Sequence, residues 1–349
     1  MQVDMHNTDN FFKQKSGVTL KNVKKLKSLK SINIANCEKV DSLEVTYLTK
    51  GYFKKNHIDL NYPLLIKGGV SKWPARKIWT DEYLKEKLKD TDLNCYKSMN
   101  LNDASFMQEN VQRMKGSDYI SLRQKEQEKV LSSPHIVLDK QWVNYDGSVY
   151  QLGLEFMTHD ILPFEFLTKP KLGVSSPFYR LYLYKNAGTG WHEHPNDEYI
   201  MCQVRGSKRV ALLPTKKVPN YKKLYQDLQK NDYLYKPDYF NEYEKNILVA
   251  DVEEGDALYI PPHWFHGVDT LDTGPGTTLV YSFRTPLHKI GNFRYPSVKR
   301  TLSYIIKNGN KKAALGYILI AIASNTASII KKISNTLRKK NSTVKFGDY

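Results

Sequence analysis

Between residues 177 and 285 the chain divides into short aromatic and β-branched runs separated by clusters of Gly, Pro and Asp. The runs are FYRLYLYKN (178–186), IMCQVRGSKRVALLP (200–214), DALYIPP (256–262) and TTLVYSFRT (277–285). The first alternates as a half-buried strand does, and several short strands with turn signals between them are the pattern of a sandwich or barrel. With 40% hydrophobic and 26% charged residues over 349 positions, the chain can bury one large barrel with helical additions and needs no cross-links. Cys37, Cys95 and Cys202 lie far apart and form no C-x-x-C pair, which argues against a disulfide framework and a thiolate zinc site. The N-terminal MQVDMHNTDN carries no apolar run of the secretory type. The expected address is therefore cytoplasmic, with the nucleus open to it.

Outside the barrel region the texture differs. Residues 1–42 read as a lysine-rich lead-in with one short helix at 20–29, and 43–299 as the main domain. Within the latter, YPLLIKGGVSKWPARKIWTDEYLKEKL (62–88) reads as a buried strand, a Gly68-Gly69 turn and a helix. Thr80 is the expected N-cap of that helix, with Asp81 and Glu82 favoured by the helix dipole. Residues 104–150 read as an elaboration before the barrel, and 215–247 as a tyrosine- and lysine-rich insert of helix and loop. The tail, 300–349, is helical and basic. Its segment AALGYILIAIASNTASII (313–330) has the length of a marginal membrane span, but Ser324, Asn325, Thr326 and Ser328 disfavour an unpaired one. Leu315, Ile318, Ile322 and Ile329 share one helical stripe, which is expected to pack against the barrel or a second subunit. The net charge of +17 reads first as solvated lysine surface, and second as attraction for an acidic protein, nucleic acid or anionic lipid. No nucleic-acid fold signature accompanies it.

Two segments carry candidate chemistry. In GTGWHEHPNDEY (188–199), an extended backbone puts His192 and His194 on one face and Glu193 on the other. In YIPPHWFHGV (259–268), Pro261-Pro262 ends a strand and His266 follows the turn into the next. Two near ligands and one distant ligand are how a barrel mouth binds a metal, although an H-x-H alone is equally at home in a structural or surface role.

Four blocks in order, PLLIKGGVSKWPA followed by Trp79, GTGWHEHP, QVRGSKRVALLP and GDALYIPPHWFHGV, resemble the JmjC-type, cupin-like Fe(II)/2-oxoglutarate-dependent oxygenases. The resemblance extends to the branches that hydroxylate an asparagine of hypoxia-inducible factor and wybutosine in tRNA. It implies a mainly β fold with α additions, a double-stranded β-helix (jelly-roll, cupin) core at about 177–285 flanked by helices. It implies a metal on His192, His194 and His266, and Lys208 paired with the far carboxylate of 2-oxoglutarate. Thr189 would touch the same carboxylate, and Tyr182 or Tyr184 would add a hydrogen bond. It also implies O2 as a co-substrate and a homodimer through the C-terminal helices.

The family has Asp or Glu where this chain has His194, so three readings stay open: an all-histidine triad, Asp197 curling back as the carboxylate ligand, or a metal site without turnover. A bulge is expected to absorb one extra residue between His192 and Gln203. The functions that follow are an Fe(II)- and 2-oxoglutarate-dependent hydroxylase, a cupin-type metal dioxygenase that does not use 2-oxoglutarate, or a non-catalytic binding protein. Substrates acted on across the resemblance include protein side chains, nucleic acid and small molecules.

Overall fold

The structure, a computed structural model, describes residues 34–97, 111–125, 130–132, 136–143, 149–167, 177–194, 197–215, 244–284, 286–291, 293, 295–307 and 309–341. The expected helix at 20–29 and most of the insert at 215–247 lie outside the described residues.

Eight strands form the centre. They are β1 (Tyr179–Lys185), β2 (Thr189–His192), β3 (Asp197–Arg205), β4 (Lys208–Pro214), β5 (Leu248–Val252), β6 (Ala257–Ile260), β7 (Trp264–Thr270) and β8 (Pro275–Arg284). They pair antiparallel in two sheets, one ordered β6-β3-β8-β1 and the other β5-β4-β7-β2. Apart from the β4–β5 connection, each strand passes to the opposite sheet from the one before it.

Further strands widen the first sheet. Leu64–Lys67 adds to β6, and Ser42–Glu44 adds to Leu64–Lys67 in parallel. Asp92–Lys97, Val111–Lys115, Val130–Ser132 and Ile136–Val137 extend it beyond β1. Ahead of Leu43, Glu38–Lys39 pairs in parallel with β5. The fold is mostly sheet with several helices.

The alternation of side chains accounts for two cores. Tyr199, Met201, Val210, Leu212, Leu258, Ile260, Trp264 and Val268 meet between the sheets. The opposite face of the first sheet presents Leu181, Leu183, Ile200, Cys202, Tyr259 and Leu279 to a layer that includes Phe53, Trp79, Leu84 and Tyr119. That sheet is buried on both faces, which is why its strands read as continuous apolar runs. Helix α1 (Asp81–Lys87) starts as expected, with Thr80 Oγ1 accepting the Tyr83 N–H. Asp81 forms a buried ion pair with Arg123 of α2 (Gly116–Gln124).

After β8 the chain turns through Leu287–Lys289 into α3 (Pro296–Lys307) and α4 (Lys311–Asn341). Lys289 forms a fully buried network with Glu198, whose other carboxylate oxygen accepts from Tyr259 at 2.5 Å. The Leu315, Ile318, Ile322 and Ile329 stripe does not pack against the strands of its own chain, which corrects the first of its two expected partners. The side of α4 that packs on the fold carries Ala314, Tyr317, Ala321 and Ser324, while Leu315, Ile322 and Ile329 are exposed. Small residues allow the close approach to α3 and to the 287–291 turn, where the Gly291 N–H donates to Ser324 Oγ at 3.1 Å.

Candidate metal centre

His192 ends β2 and lies opposite His266 of β7 in register. His266 shares its face with Trp264 and Val268, so it points between the sheets. His194 lies just past the end of β2, where its carbonyl accepts the His263 N–H at 3.1 Å. That bond ties the two histidine-bearing segments together across the mouth. His263 supports this turn with a left-handed backbone (φ 63°), a stack on Tyr295 and an Nε2–H donated to the Lys289 carbonyl.

The imidazole centroids are 4.2 Å apart for His192 and His266, 4.9 Å for His192 and His194, and 5.2 Å for His194 and His266. One ring nitrogen from each lies within 4.8 Å of the other two, the spacing of ligands around one ion. Burial, followed by the neighbouring rings, holds His194 well below the ordinary histidine range, and burial does the same for His266. Both are therefore neutral imidazoles, the form that binds a metal. Nδ1 of His266 lies 3.0 Å from the Trp264 carbonyl. A carbonyl only accepts, so the proton sits on Nδ1 and Nε2 keeps its lone pair, the second-sphere arrangement that orients a metal-binding histidine. Three convergent imidazoles, with His194 and His266 held neutral, fit a divalent transition metal.

The expected alternatives are placed as follows. Asp197 opens β3 and is buried, but the group of three is made of histidines alone. Irregular register falls between Thr189 and His192 and between Gln203 and Arg205. Thr189 stands on β2 opposite Val268. Gly188, just before it, passes so close to β7 that a Cβ there would meet the Val268 carbonyl oxygen at 1.9 Å.

Lys208 points inward on the same face of β4 as Val210 and Leu212. Its Nζ stands 4.0 Å from the centroid of the Tyr184 ring. Among the described residues it forms no ion pair, and burial lowers its pKa to about 7 against the opposing field of Asp272. A buried cation of this kind fits an arriving carboxylate. Tyr182 shares the inward face of β1 and is partly exposed, whereas Tyr184 is buried and accepts from Gln203 Nε2 at 2.6 Å. Gln203 in turn accepts from Thr278 Oγ1 at 2.9 Å. Tyr184 is thus a clamped platform beneath Lys208, and Gly276 makes room for it, since a Cβ at 276 would lie 1.9 Å from the ring.

Sequence reasoning passed over Gln203, Gly276 and Arg180. The alternation of FYRLYLYKN contained the signal for the last, because positions 180, 182 and 184 share a face. Arg180 lies over the Tyr199 ring at 5.2 Å, and Tyr199 lies 4.3 Å from His194. Its Nε and Nη2 are buried with no hydrogen-bond partner among the described residues.

The sequence profile of the cupin-like domain matches residues 50–287, more than half of the chain. The chain belongs to the cupin-like domain family. No curated protein is similar enough in sequence to count as a match. The match encloses all eight central strands, the three histidines and Lys208 of this cupin-like domain, and leaves α3 and α4 outside.

Proposed function

We propose that this protein is an Fe(II)- and 2-oxoglutarate-dependent oxygenase, a hydroxylase built on a double-stranded β-helix. The sheet orders and the strand-by-strand alternation between sheets support that winding. The observation that carries the activity is a buried Lys208, without an ion-pair partner among the described residues, facing the same interior as three convergent imidazoles. A protein gains nothing in stability by burying a lone ammonium group, so its place is accounted for by an anion that arrives later.

Bound Fe(II), with 2-oxoglutarate and O2, supplies the oxidising chemistry. The chain supplies placement. His192, His194 and His266 hold the metal, and the Trp264 carbonyl fixes the His266 tautomer. Lys208, backed by the clamped Tyr184, anchors the distal carboxylate, with Thr189 and Tyr182 as hydroxyl donors. Trp264, Val268, Val210 and Leu212 keep the space between the sheets apolar, which strengthens the charged contacts made inside it. The substrate, whether a protein side chain, a nucleic-acid base or a small molecule, enters at the histidine end.

The all-imidazole donor set favours a second reading, a cupin-type metal dioxygenase that does not use 2-oxoglutarate. Metal analysis of anaerobically purified protein, followed by turnover of 2-oxoglutarate to succinate without substrate, tests both. Stoichiometric iron with succinate formation is expected, lost in His266→Ala through loss of metal and in Lys208→Ala with metal retained. Full activity in Lys208→Ala beside an inactive His266→Ala overturns the first reading in favour of the second.

A further inference from the structure

We propose that α4 is a docking surface for an anionic lipid bilayer, on which the protein lies without crossing it. The inference is independent of the metal centre. One side of α4 is held by the fold. Ala314, Tyr317 and Ala321 pack against Val298 and Ile305 of α3, Ser324 bonds to Gly291, and Lys331 reaches Asp59 at 3.1 Å and His288 at 2.8 Å. The opposite side carries Leu315, Leu319, Ile322, Ile329, Ile330 and Ile333, each between 52% and 61% exposed. At 100° per residue these six fall within one stripe roughly 100° wide and about 27 Å long. Isolated exposed apolar residues are normal, but two aligned clusters on one side of a helix, Leu315, Leu319 and Ile322 and then Ile329, Ile330 and Ile333, separated by exposed Thr326, form an interaction surface.

Charge selects the occupant. From 296 to 341 the chain has ten Lys and Arg residues and no Asp or Glu. Lys311 and Lys312 are exposed at the start of the stripe, and Lys332 is exposed near its end. A second copy meeting this surface would bring the same charges and no acidic partner from these helices. A bilayer with anionic headgroups satisfies both requirements, taking the apolar row at the acyl boundary and the lysines among the headgroups.

Residues Lys311–Ser334 contain a stretch long and apolar enough to span a membrane. Spanning would strip away the contacts of Ser324 and Lys331 and put Ser324 in hydrocarbon, whereas lying flat keeps them. The lysines also predict salt dependence, since each one near the surface strengthens binding roughly fivefold in weak salt.

The test is flotation of the full chain with vesicles of phosphatidylcholine, with and without phosphatidylserine. It is run at about 0.1 M and about 1 M salt, where charges are screened beyond roughly 10 Å and 3 Å. Co-flotation with phosphatidylserine vesicles at low salt is expected, together with loss at high salt. Leu319→Gln, Ile322→Gln and Ile330→Gln combined should lower the bound fraction more than tenfold with an unchanged circular dichroism spectrum. Lys311→Glu with Lys312→Glu should lower it without touching the apolar row. Absence of flotation, equal binding to vesicles of phosphatidylcholine alone, or unchanged binding by the triple variant overturns the proposal. So does a solution dimer that the triple variant converts to monomer, which would identify a second copy as the occupant.

Discussion

Replacing Lys208 with Met should make the ligand-free protein more stable and unable to respond to 2-oxoglutarate. Burial brings the Lys208 pKa from 10.5 to about 7. At 1.36 kcal/mol per unit, that drop corresponds to about 5 kcal/mol. Against it stands the contact with the Tyr184 ring, worth about 0.5–2 kcal/mol, so burial wins. Met preserves the length of the stem and removes the charge. The folded value lies below the unfolded one, so from pH 7 to pH 10.5 the unfolded chain binds more protons and parental stability rises with pH. The advantage of Lys208→Met is therefore largest below pH 7, at most about 5 kcal/mol, and shrinks to about 2 kcal/mol at pH 9. Urea unfolding of metal-free protein at pH 6 and pH 9 measures both differences. A variant less stable than its parent at pH 6, or a difference independent of pH, refutes the account of Lys208 as an unpaired buried cation. Added 2-oxoglutarate should raise the melting temperature of the parent and leave that of Lys208→Met where it was.

Gly276→Ala should displace the Tyr184 ring, destabilise the fold by about 1–3 kcal/mol and weaken 2-oxoglutarate binding while metal content stays at the parental level, read by calorimetry and metal analysis. Gly188→Ala, which meets a backbone carbonyl, should instead shift β2 and lower metal occupancy, read by metal analysis of purified protein. Burial lowers His263 from 6.5 to about 4, so the unfolded chain takes up this proton first, and stability falls by about 3 kcal/mol as pH drops through that window. His263→Asn, which tolerates the left-handed backbone, should flatten that part of the pH dependence in urea titrations. Glu198→Leu alone should cost about 3–5 kcal/mol by stranding Lys289, and Lys289→Met in the same chain should recover most of the loss, a coupling visible in a double-mutant cycle.

The parts of the site that depend on local pattern were legible in the sequence. His192 and His194 sit two apart beside a strand end, and His266 follows a Pro-Pro stop, so each segment announces its own geometry. The block QVRGSKRVALLP singled out Lys208, which is buried on the inner face of β4, and helix-capping chemistry singled out Thr80. What depends on register was not. Arg180 and Gly276 acquire their roles because β1, β8 and β3 pair as they do, which places Tyr184 against Gly276 and Arg180 over Tyr199. The buried side of α4 was misread for a related reason. Its helical period contains two apolar stripes, one of large and one of small side chains, and hydropathy favours the large one. Contact with α3 and the 287–291 turn selects the other, where Ala314, Ala321 and Ser324 allow the approach and Tyr317 fills the space between them.

Charge inside the barrel bears on what it holds. A donor set with one carboxylate would offset half the charge of a divalent ion, but His192, His194 and His266 contribute none. Lys208 and Arg180 add positive charge from the walls, while buried Asp197 acts on Arg180 from the near end of β3. The surplus favours a dianion over a monoanion of the same shape, because each further negative charge in a water-poor space is worth more than it would be in solvent. On the oxygenase reading, 2-oxoglutarate meets that demand between the metal and Lys208, and Arg180 is left facing the side from which substrate arrives. A cationic substrate group there would oppose both the metal and the guanidinium, whereas a neutral or acidic one would not, so charge sorts candidate substrates before shape does.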